Sequence, residues 1–185
     1  MLADTDRLGQ LINNLLSAQR IEQKETKLNL RPGDLSDLVA GYFRPRQFSL
    51  PQAGKMELAV EPGLRARIDA EALEMVLRNL LENALLYATG APQLTVTLRR
   101  QGRQAHLLFA DRGRGLEKKE LKKVFRMFYR VRQPGETIRG SGLGLFIAQA
   151  VVRGHGGKIR VESAGLGEGT SFHILLPLLP EESGR

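Results

Sequence analysis

Asn79 and Asn83 stand four residues apart in the run NLLENA (Asn79 to Ala84), a spacing that stacks two side chains on one face of a helix. Two amide oxygens so placed can converge on one point. Neutral oxygens of this kind suit Mg²⁺, which accepts few protein ligands and keeps water or phosphate oxygens for the rest of its shell. Downstream, Asp111 opens DRGRGL (Asp111 to Leu116). A carboxylate there can accept a hydrogen bond from the amino group of adenine, a contact that the carbonyl of guanine cannot return. GSGLGL (Gly140 to Leu145) then runs into an apolar helical pattern. The free N–H groups and positive dipole end of such a helix favour phosphate. GEGTSF (Gly167 to Phe172) closes the series. Taken singly, these segments also fit a solvated helix edge, an Asp-Gly turn, a glycine-rich helix start and a hairpin turn. Four of them in one order at domain-sized spacing are much harder to obtain by chance.

The elements that must carry these residues follow from periodicity and punctuation. Asp4 to about Lys24 reads as one amphipathic helix whose narrow stripe is Leu8, Leu11, Ile12 and Leu15. A charged stretch leads to Pro32 and Gly33, where a linker begins and the main domain follows. Asp34 is placed to cap a helix through Leu35, Leu38, Val39 and Phe43 that stops before Pro45. Met56 to Glu61 alternates as a strand, and Arg65 to Ile68 as a short second one. Asp69 caps a long helix from Ala70 to about Ala88. At ~100° per residue, Leu73, Leu77, Leu80 and Ala84 centre one face, Glu74 and Arg78 lie opposite, and Asn79, Glu82 and Asn83 run along a border.

Beyond that helix, Leu94 to Arg100 and Ala105 to Ala110 form an antiparallel pair turned at Gln101 and Gly102. Gly142 to Arg153 is helical. Lys158 to Ser163 and Thr170 to Leu176 form a last hairpin around Gly165 to Gly169. Strands joined mainly by hairpins rather than by repeated crossovers predict an α+β fold with helices on one face of a mixed sheet.

Composition narrows the function class. The chain has 185 residues, a net charge of +8 and no cysteine, so disulfides and thiolate metal sites are excluded. No run reaches the length of a membrane span, and the sequence predicts a soluble fragment. Most of the positive excess lies between Glu117 and Arg139, in Lys118, Lys119, Lys122, Lys123, Arg126, Arg130, Arg132 and Arg139. That segment joins two glycine boxes, where a polyphosphate would need the charge, and a nucleic-acid partner is not required to explain it. It is also long for a connection, and connections of that length are usually lids or disordered.

The order and content of the four boxes resemble the catalytic ATP-binding domain of sensor histidine kinases, a branch of the superfamily that also holds gyrase, Hsp90 and MutL. RLGQLINNLLSAQRIE (Arg7 to Glu22) resembles the second helix of the histidine kinase dimerisation hairpin, FRMFYR (Phe125 to Arg130) the phenylalanine box of the lid, and HGG (His155 to Gly157) the family's helix-ending turn. The resemblance implies a Bergerat-type two-layer α/β sandwich with a mostly antiparallel sheet over residues 31–180. It further implies a truncated second hairpin helix and linker over 1–30 and a tail over 181–185.

The same resemblance implies Mg-ATP as cofactor, Asn83 as the direct magnesium ligand, and Asn79 and Glu82 beside it in the catalytic group. It gives a nucleotide site of Asn79, Asn83, Tyr87, Asp111, Gly113, Gly115, Leu116, Phe128, Arg130, Gly140, Ser141, Gly142, Leu143, Gly144, Leu145 and Thr170. Arg126, Arg130 and Arg132 are candidates for contact with the γ-phosphate. The ATPases of the superfamily have a water-activating glutamate where this chain has Asn79. A histidine acceptor already offers a free lone pair near neutral pH, so the asparagine favours transfer to histidine over hydrolysis. None of the three histidines, His106, His155 and His173, has the acceptor context, and the resemblance places the phosphoacceptor helix upstream of Met1.

The implied function is that of an ATP-dependent protein-histidine kinase in a two-component phosphorelay, homodimeric in full length and passing phosphate to a response regulator. In this family such a core is a cytoplasmic domain of a protein often anchored in the inner membrane. One departure is Leu86, where the family often has a lysine reaching toward the phosphates. The alternatives are a nucleotide-binding regulatory module without transfer activity and a superfamily ATPase.

Overall fold

Two aspartates decide where two of the helices begin. In this computed structural model, which describes residues 28–131 and 141–180, Asp34 accepts the N–H of Asp37 at 2.9 Å and starts α1 (Leu35–Phe43). Asp69 accepts the N–H of Ala72 at 3.1 Å and starts α2 (Ala70–Leu86). Each satisfies an N–H that the first helical turn leaves without an intrahelical partner. α1 stops ahead of Pro45, and two 3-10 turns, Pro45–Phe48 and Pro51–Ala53, follow it. α2 ends two residues earlier than its apolar pattern suggests, with Tyr87 as C-cap and its N–H on the carbonyl of Asn83 at 3.0 Å.

Five strands form the main sheet in the order β2-β4-β5-β7-β6, where β2 is Lys55–Val60, β4 Gln93–Gln101, β5 Gln104–Asp111, β6 Lys158–Glu162 and β7 Thr170–Pro177. β2 and β4 are parallel; the other neighbours are antiparallel. The alternation in β4 and β7 buries Leu94, Val96, Leu98, Phe172, Ile174 and Leu176 against α1, α2 and α4 (Gly144–Gly154). Phe43, Leu80, Phe109, Ile147 and Val152 complete this interior, with the Phe43 and Phe109 ring centroids 5.8 Å apart. The helices therefore cover one face of a mixed, mostly antiparallel sheet, as the strand order predicts.

The other face carries Thr95, Thr97, Arg99, Arg160 and Glu162 toward solvent. On it the His106 and His173 rings stack with Nε2 and Nδ1 3.0 Å apart, and the second nitrogen of His173 lies 3.4 Å from a Glu162 oxygen. Burial lowers the pKa of His106, and the charges of His173, Arg99 and Arg160 lower it further.

Four details differ from the sequence expectation. Pro32 and Gly33 do not start a linker; they lie in β1 (Arg31–Asp34), which pairs antiparallel with β3 (Arg65–Ile68). A four-residue edge strand carries too little periodicity to be read, and its proline is tolerated because an edge strand need not donate on both sides. The β4–β5 hairpin turns at Gly102 and Arg103, one residue later, because Gln101 pairs with Gln104. The 3-10 turns after α1 have no counterpart in the sequence pattern. Helix α4 begins at Gly144 rather than Gly142, because Gly142 has a φ of +73°, outside the helical region. The amphipathic segment before residue 28, the lid residues Arg132 and Arg139, Gly140 and the tail 181–185 lie outside the described residues.

His155 ties the helical layer together in a way its HGG context does not reveal. Its Nε2 accepts the N–H of Asp69 at 3.0 Å, so the proton sits on Nδ1, which lies 2.8 Å from the Val151 carbonyl. One buried imidazole thus joins the end of α4 to the start of α2 and fixes the spacing between the two helices that carry the asparagines and the glycine box.

A candidate nucleotide cavity

The cavity, of about 230 Å³, lies between the C-terminal half of α2, the loop after β5, the N-terminus of α4 and the first part of the lid. Asp111 and Thr170 reach it because the ends of β5 and β7 are in register, Asp111 opposite Thr170. Asp111 Oδ1 accepts the Gly113 N–H at 2.8 Å. Burial pushes the Asp111 carboxyl above its ordinary range, and backbone N–H groups of Gly113 and Thr170 partly offset this. A buried carboxyl with a shifted pKa facing a cavity marks a candidate functional group.

Below it, the loop from Asp111 to Leu116 is sewn to the turn after β6. Gly167 donates its N–H to the Arg114 carbonyl at 2.6 Å, and Gly169 to that of Gly113 at 3.2 Å. Ser163 Oγ accepts the Leu116 N–H at 3.0 Å and donates to the Gly169 carbonyl at 2.6 Å. Gly115 has a φ of +70°, and a Cβ there would collide with the Gly165 carbonyl. The glycines of the last box therefore act on the cavity through the backbone of the Asp111 loop, while Thr170 and Phe172 of the same box line it directly.

On the helical side, Asn79 is 4% exposed and Asn83 half-buried, with Glu82 exposed beside them. α4 comes so close to Asn79 that a Cβ on Gly144 would lie 3.1 Å from Asn79 Oδ1. The Asn79 Nδ2 is buried with no hydrogen-bond partner. A buried amide left without its bond costs about 1–3 kcal/mol, so a bound group that accepts from it recovers that free energy. The N-terminus of α4 has no side-chain cap at Leu143. Ser141 Oγ accepts the Leu143 N–H at 3.3 Å, and Gly144 and Leu145 at the helix start line the cavity.

The lid begins with α3 (Lys118–Leu121), closed by a reciprocal capping box of Glu117 and Glu120. Phe125 packs edge-on against Phe172 with centroids 6.5 Å apart and anchors the lid to β7. Phe128, at a φ of +60°, bonds its N–H to the Gly142 carbonyl at 3.1 Å and turns its ring outward, leaving it 59% exposed. Tyr129, Arg130 and Val131 then face the cavity.

The structure thus brings Asn79, Glu82, Asn83, Tyr87, Asp111, Gly115, Leu116, Arg130, Ser141, Gly142, Gly144, Leu145 and Thr170 around one space. Three expected members stand outside its lining: Gly113 is packed beneath the Tyr87 carbonyl, Leu143 is buried in the core, and Phe128 points to solvent. The reversal at Phe128 puts its neighbour Tyr129 in the wall instead. Arg126 does not line the cavity. Leu86, Arg114, Val124, Val131 and Phe172 also line it. Among them Arg114 is notable, with its guanidinium 4.6 Å over the Tyr87 ring and its N–H on the Tyr87 carbonyl at 3.0 Å. Of these five, Leu86 stands at the lysine position, and Arg114 and Phe172 lie within two of the boxes, but nothing in the sequence marks Val124 or Val131.

Comparison with known proteins places this geometry in context. Residues 68–180 match the family described as histidine kinase-, DNA gyrase B- and HSP90-like ATPase. The chain is 34% identical over 180 residues to the alginate biosynthesis sensor protein KinB of Pseudomonas aeruginosa, covering 95% of this chain and 29% of KinB. It is 34% identical over 176 residues to the sensor histidine kinase RppB of Synechocystis sp., covering 93% of this chain and 38% of RppB. The chain thus spans about a third of the length of these relatives. Among solved structures, the mycobacterial sensor histidine kinase MprB superimposes with a TM-score of 0.70 at 29% identity, over 82% of this chain and 99% of that one. The Acinetobacter baumannii histidine kinase AdeS superimposes with a TM-score of 0.77 at 22% identity, over 97% of this chain and 82% of that one, a likeness of fold alone.

Proposed function

We propose, from a chain that belongs to the histidine kinase-, DNA gyrase B- and HSP90-like ATPase family and is an ATP-binding catalytic core of the sensor histidine kinase type, that it transfers the γ-phosphate of Mg-ATP to a histidine on a partner helix. The acceptor helix is that of the parent protein, and a response-regulator receiver domain takes the phosphate next. Full-length homodimerisation through a hairpin to which residues 1–30 contribute, a catalytic domain over 31–180, and attachment of a cytoplasmic core to the inner membrane belong to the same proposal. The observation that carries it is the convergence on one cavity of the Asp111 carboxylate, the two asparagines and the uncapped N-terminus of α4.

Each group has a separable task. Asp111 selects a base with an exocyclic amine, its carboxyl pKa raised by burial and partly offset by the backbone N–H groups of Gly113 and Thr170. Asn83 would hold Mg²⁺ directly with Asn79 and Glu82 beside it, and the orphaned Asn79 NH₂, a donor, fits a bound acceptor such as a phosphate oxygen or a metal-held water. When bound, the metal neutralises phosphate charge and orients the transferring group. The α4 N–H groups and Arg130 meet the phosphates. Phosphoryl transfer asks mainly for positioning and charge stabilisation, and no nucleophilic side chain is needed in the cavity. Leu86 at the lysine position supports a second reading, a nucleotide-sensing module that transfers nothing.

The deciding experiment supplies γ-labelled Mg-ATP with and without the parent's dimerisation hairpin. Acid-labile, base-stable label on the hairpin, lost in Asn83→Ala, is expected. ATP binding without any label would give the sensing module the better claim, and steady release of free phosphate would favour an ATPase.

A further inference from the structure

Between Arg44 and Lys55 the chain passes through the two 3-10 turns, and Phe48 ends the first of them 91% exposed. The loop is tied at several points. The Arg46 guanidinium lies 3.8 Å over the Tyr42 ring and donates to the Tyr42 carbonyl. Gln47 Nε2 donates to the Met56 carbonyl at 3.0 Å, and the Lys55 N–H donates to the Pro92 carbonyl at 2.8 Å. An aromatic ring is therefore held in water by built turns, against the burial preference of its own type.

Charge around it is one-sided. No acidic residue occurs between Asp37 and Glu57, where Arg44, Arg46 and Lys55 stand, and no charged residue of either sign occurs between Glu82 and Arg99, which includes the adjoining loop at 88–92. Arg44 and Lys55 are exposed. The acids that act on Tyr42, Glu82 and Glu74, belong to α2.

We propose that this tip docks on an anionic lipid surface, with Phe48 entering the interfacial layer while Arg44 and Lys55 meet the headgroups. Aromatic rings rest favourably at headgroup depth, and basic side chains near the surface add attraction to an anionic leaflet. A protein hot spot is instead a central anchor sealed by a ring of surrounding contacts. Phe48 protrudes singly from a turn followed by small neutral residues such as Ser49 and Ala53, a form that a deformable lipid surface fits. Arg44, Phe48 and Lys55 do not line the nucleotide cavity, so docking and nucleotide binding are separable.

The chain has no tryptophan, so Phe48→Trp makes a single reporter at the tip. Phosphatidylcholine vesicles containing phosphatidylserine should blue-shift its emission and allow quenching by brominated acyl chains, whereas pure phosphatidylcholine should do neither. Phe48→Ser should weaken partitioning at least about tenfold, and Arg44→Gln/Lys55→Gln by roughly tenfold or more. Arg65→Gln/Lys158→Gln, the same charge removed elsewhere, should matter far less. Vesicle binding with no spectral change at residue 48, or binding that Phe48→Ser leaves intact, would reduce the effect to the net charge of +8 and overturn the proposal. A blue shift produced by a protein partner but not by vesicles would overturn it equally.

Discussion

Replacing Asp111 by asparagine should pull nucleotide affinity and folding stability in opposite directions. The carboxylate is largely buried, with its pKa raised by that burial against the opposing pull of the Gly113 and Thr170 N–H groups. Asparagine keeps the shape and one acceptor oxygen, so the 2.8 Å bond from Gly113 can persist. What it loses is the charge, and its amide NH₂ then opposes the adenine amine, donor against donor. A hydrogen bond to a charged group contributes about 1.5–3 kcal/mol. Loss of about 2–3 kcal/mol weakens ATP binding about 30- to 150-fold.

Folding responds the other way. A carboxyl whose pKa is raised in the folded state contributes stability while protonated, and that contribution is lost as pH rises through the raised value. At neutral pH Asp111 is therefore a cost, and Asp111→Asn should leave the urea midpoint unchanged or raise it. The wild-type disadvantage should shrink as the solution is acidified, and wild-type ATP affinity should fall over the same range with the loss of the carboxylate. Calorimetric titration with ATP and urea unfolding on the same samples read both quantities. Parallel loss of affinity and stability would make Asp111 a structural residue, and unchanged affinity would remove it from the base contact.

Other positions test the supports. Asn83→Ala should abolish phosphoryl transfer while costing less than about 1 kcal/mol of stability, since the side chain is only half-buried; transfer assays and urea melts check this. Gly115→Ala should cost about 2 kcal/mol or more, combining left-handed strain with the collision at the Gly165 carbonyl, and should weaken ATP binding through the shifted loop. His155→Ala should cost about 1–3 kcal/mol by stranding the Asp69 N–H, measured by thermal unfolding. His106 has a folded pKa below its ordinary value of about 6.5, so its contribution is present above that pH and lost as pH falls. The urea midpoint should drop between about pH 7 and about pH 5 in wild type and drop less in His106→Gln.

The parts of the fold that are legible in sequence share one property: their causes are local. Asp34 and Asp69 cap the helices that follow them by accepting N–H groups three residues downstream, the long helix shows its apolar face through Leu73, Leu77 and Leu80, and the β4–β5 hairpin announces itself by alternation and a glycine. What the pattern misses is set from a distance. β1 exists because β3, beyond the whole of α1 and β2, offers it an edge, a contact no local pattern encodes. Phe128, expected at the nucleotide, faces solvent because a positive φ at that residue hands the wall to Tyr129. The roles of Arg114 and His155 likewise depend on Tyr87 and Asp69, partners brought near by the packing of the Asp111 loop and α4 on α2.

The site divides along the same line, and the division bears on how it works. Asp111, Gly113 and Gly115 are fixed from below by backbone bonds to the turn after β6, and Asn79 is fixed from the side by α4. In the proposed function this fixed backbone would supply the preorganisation that positioning chemistry requires. The phosphate end is different. Arg130 lines the cavity from the lid, and the lysine position at the end of α2 is held by Leu86, 37% exposed. Moving the positive charge from a rigid helix to a lid makes charge neutralisation depend on lid placement rather than on the fold itself. Leu86→Lys should therefore tighten ATP binding and reduce the penalty of Arg130→Ala. Additive effects in the double variant would show that residues 86 and 130 serve different parts of the nucleotide.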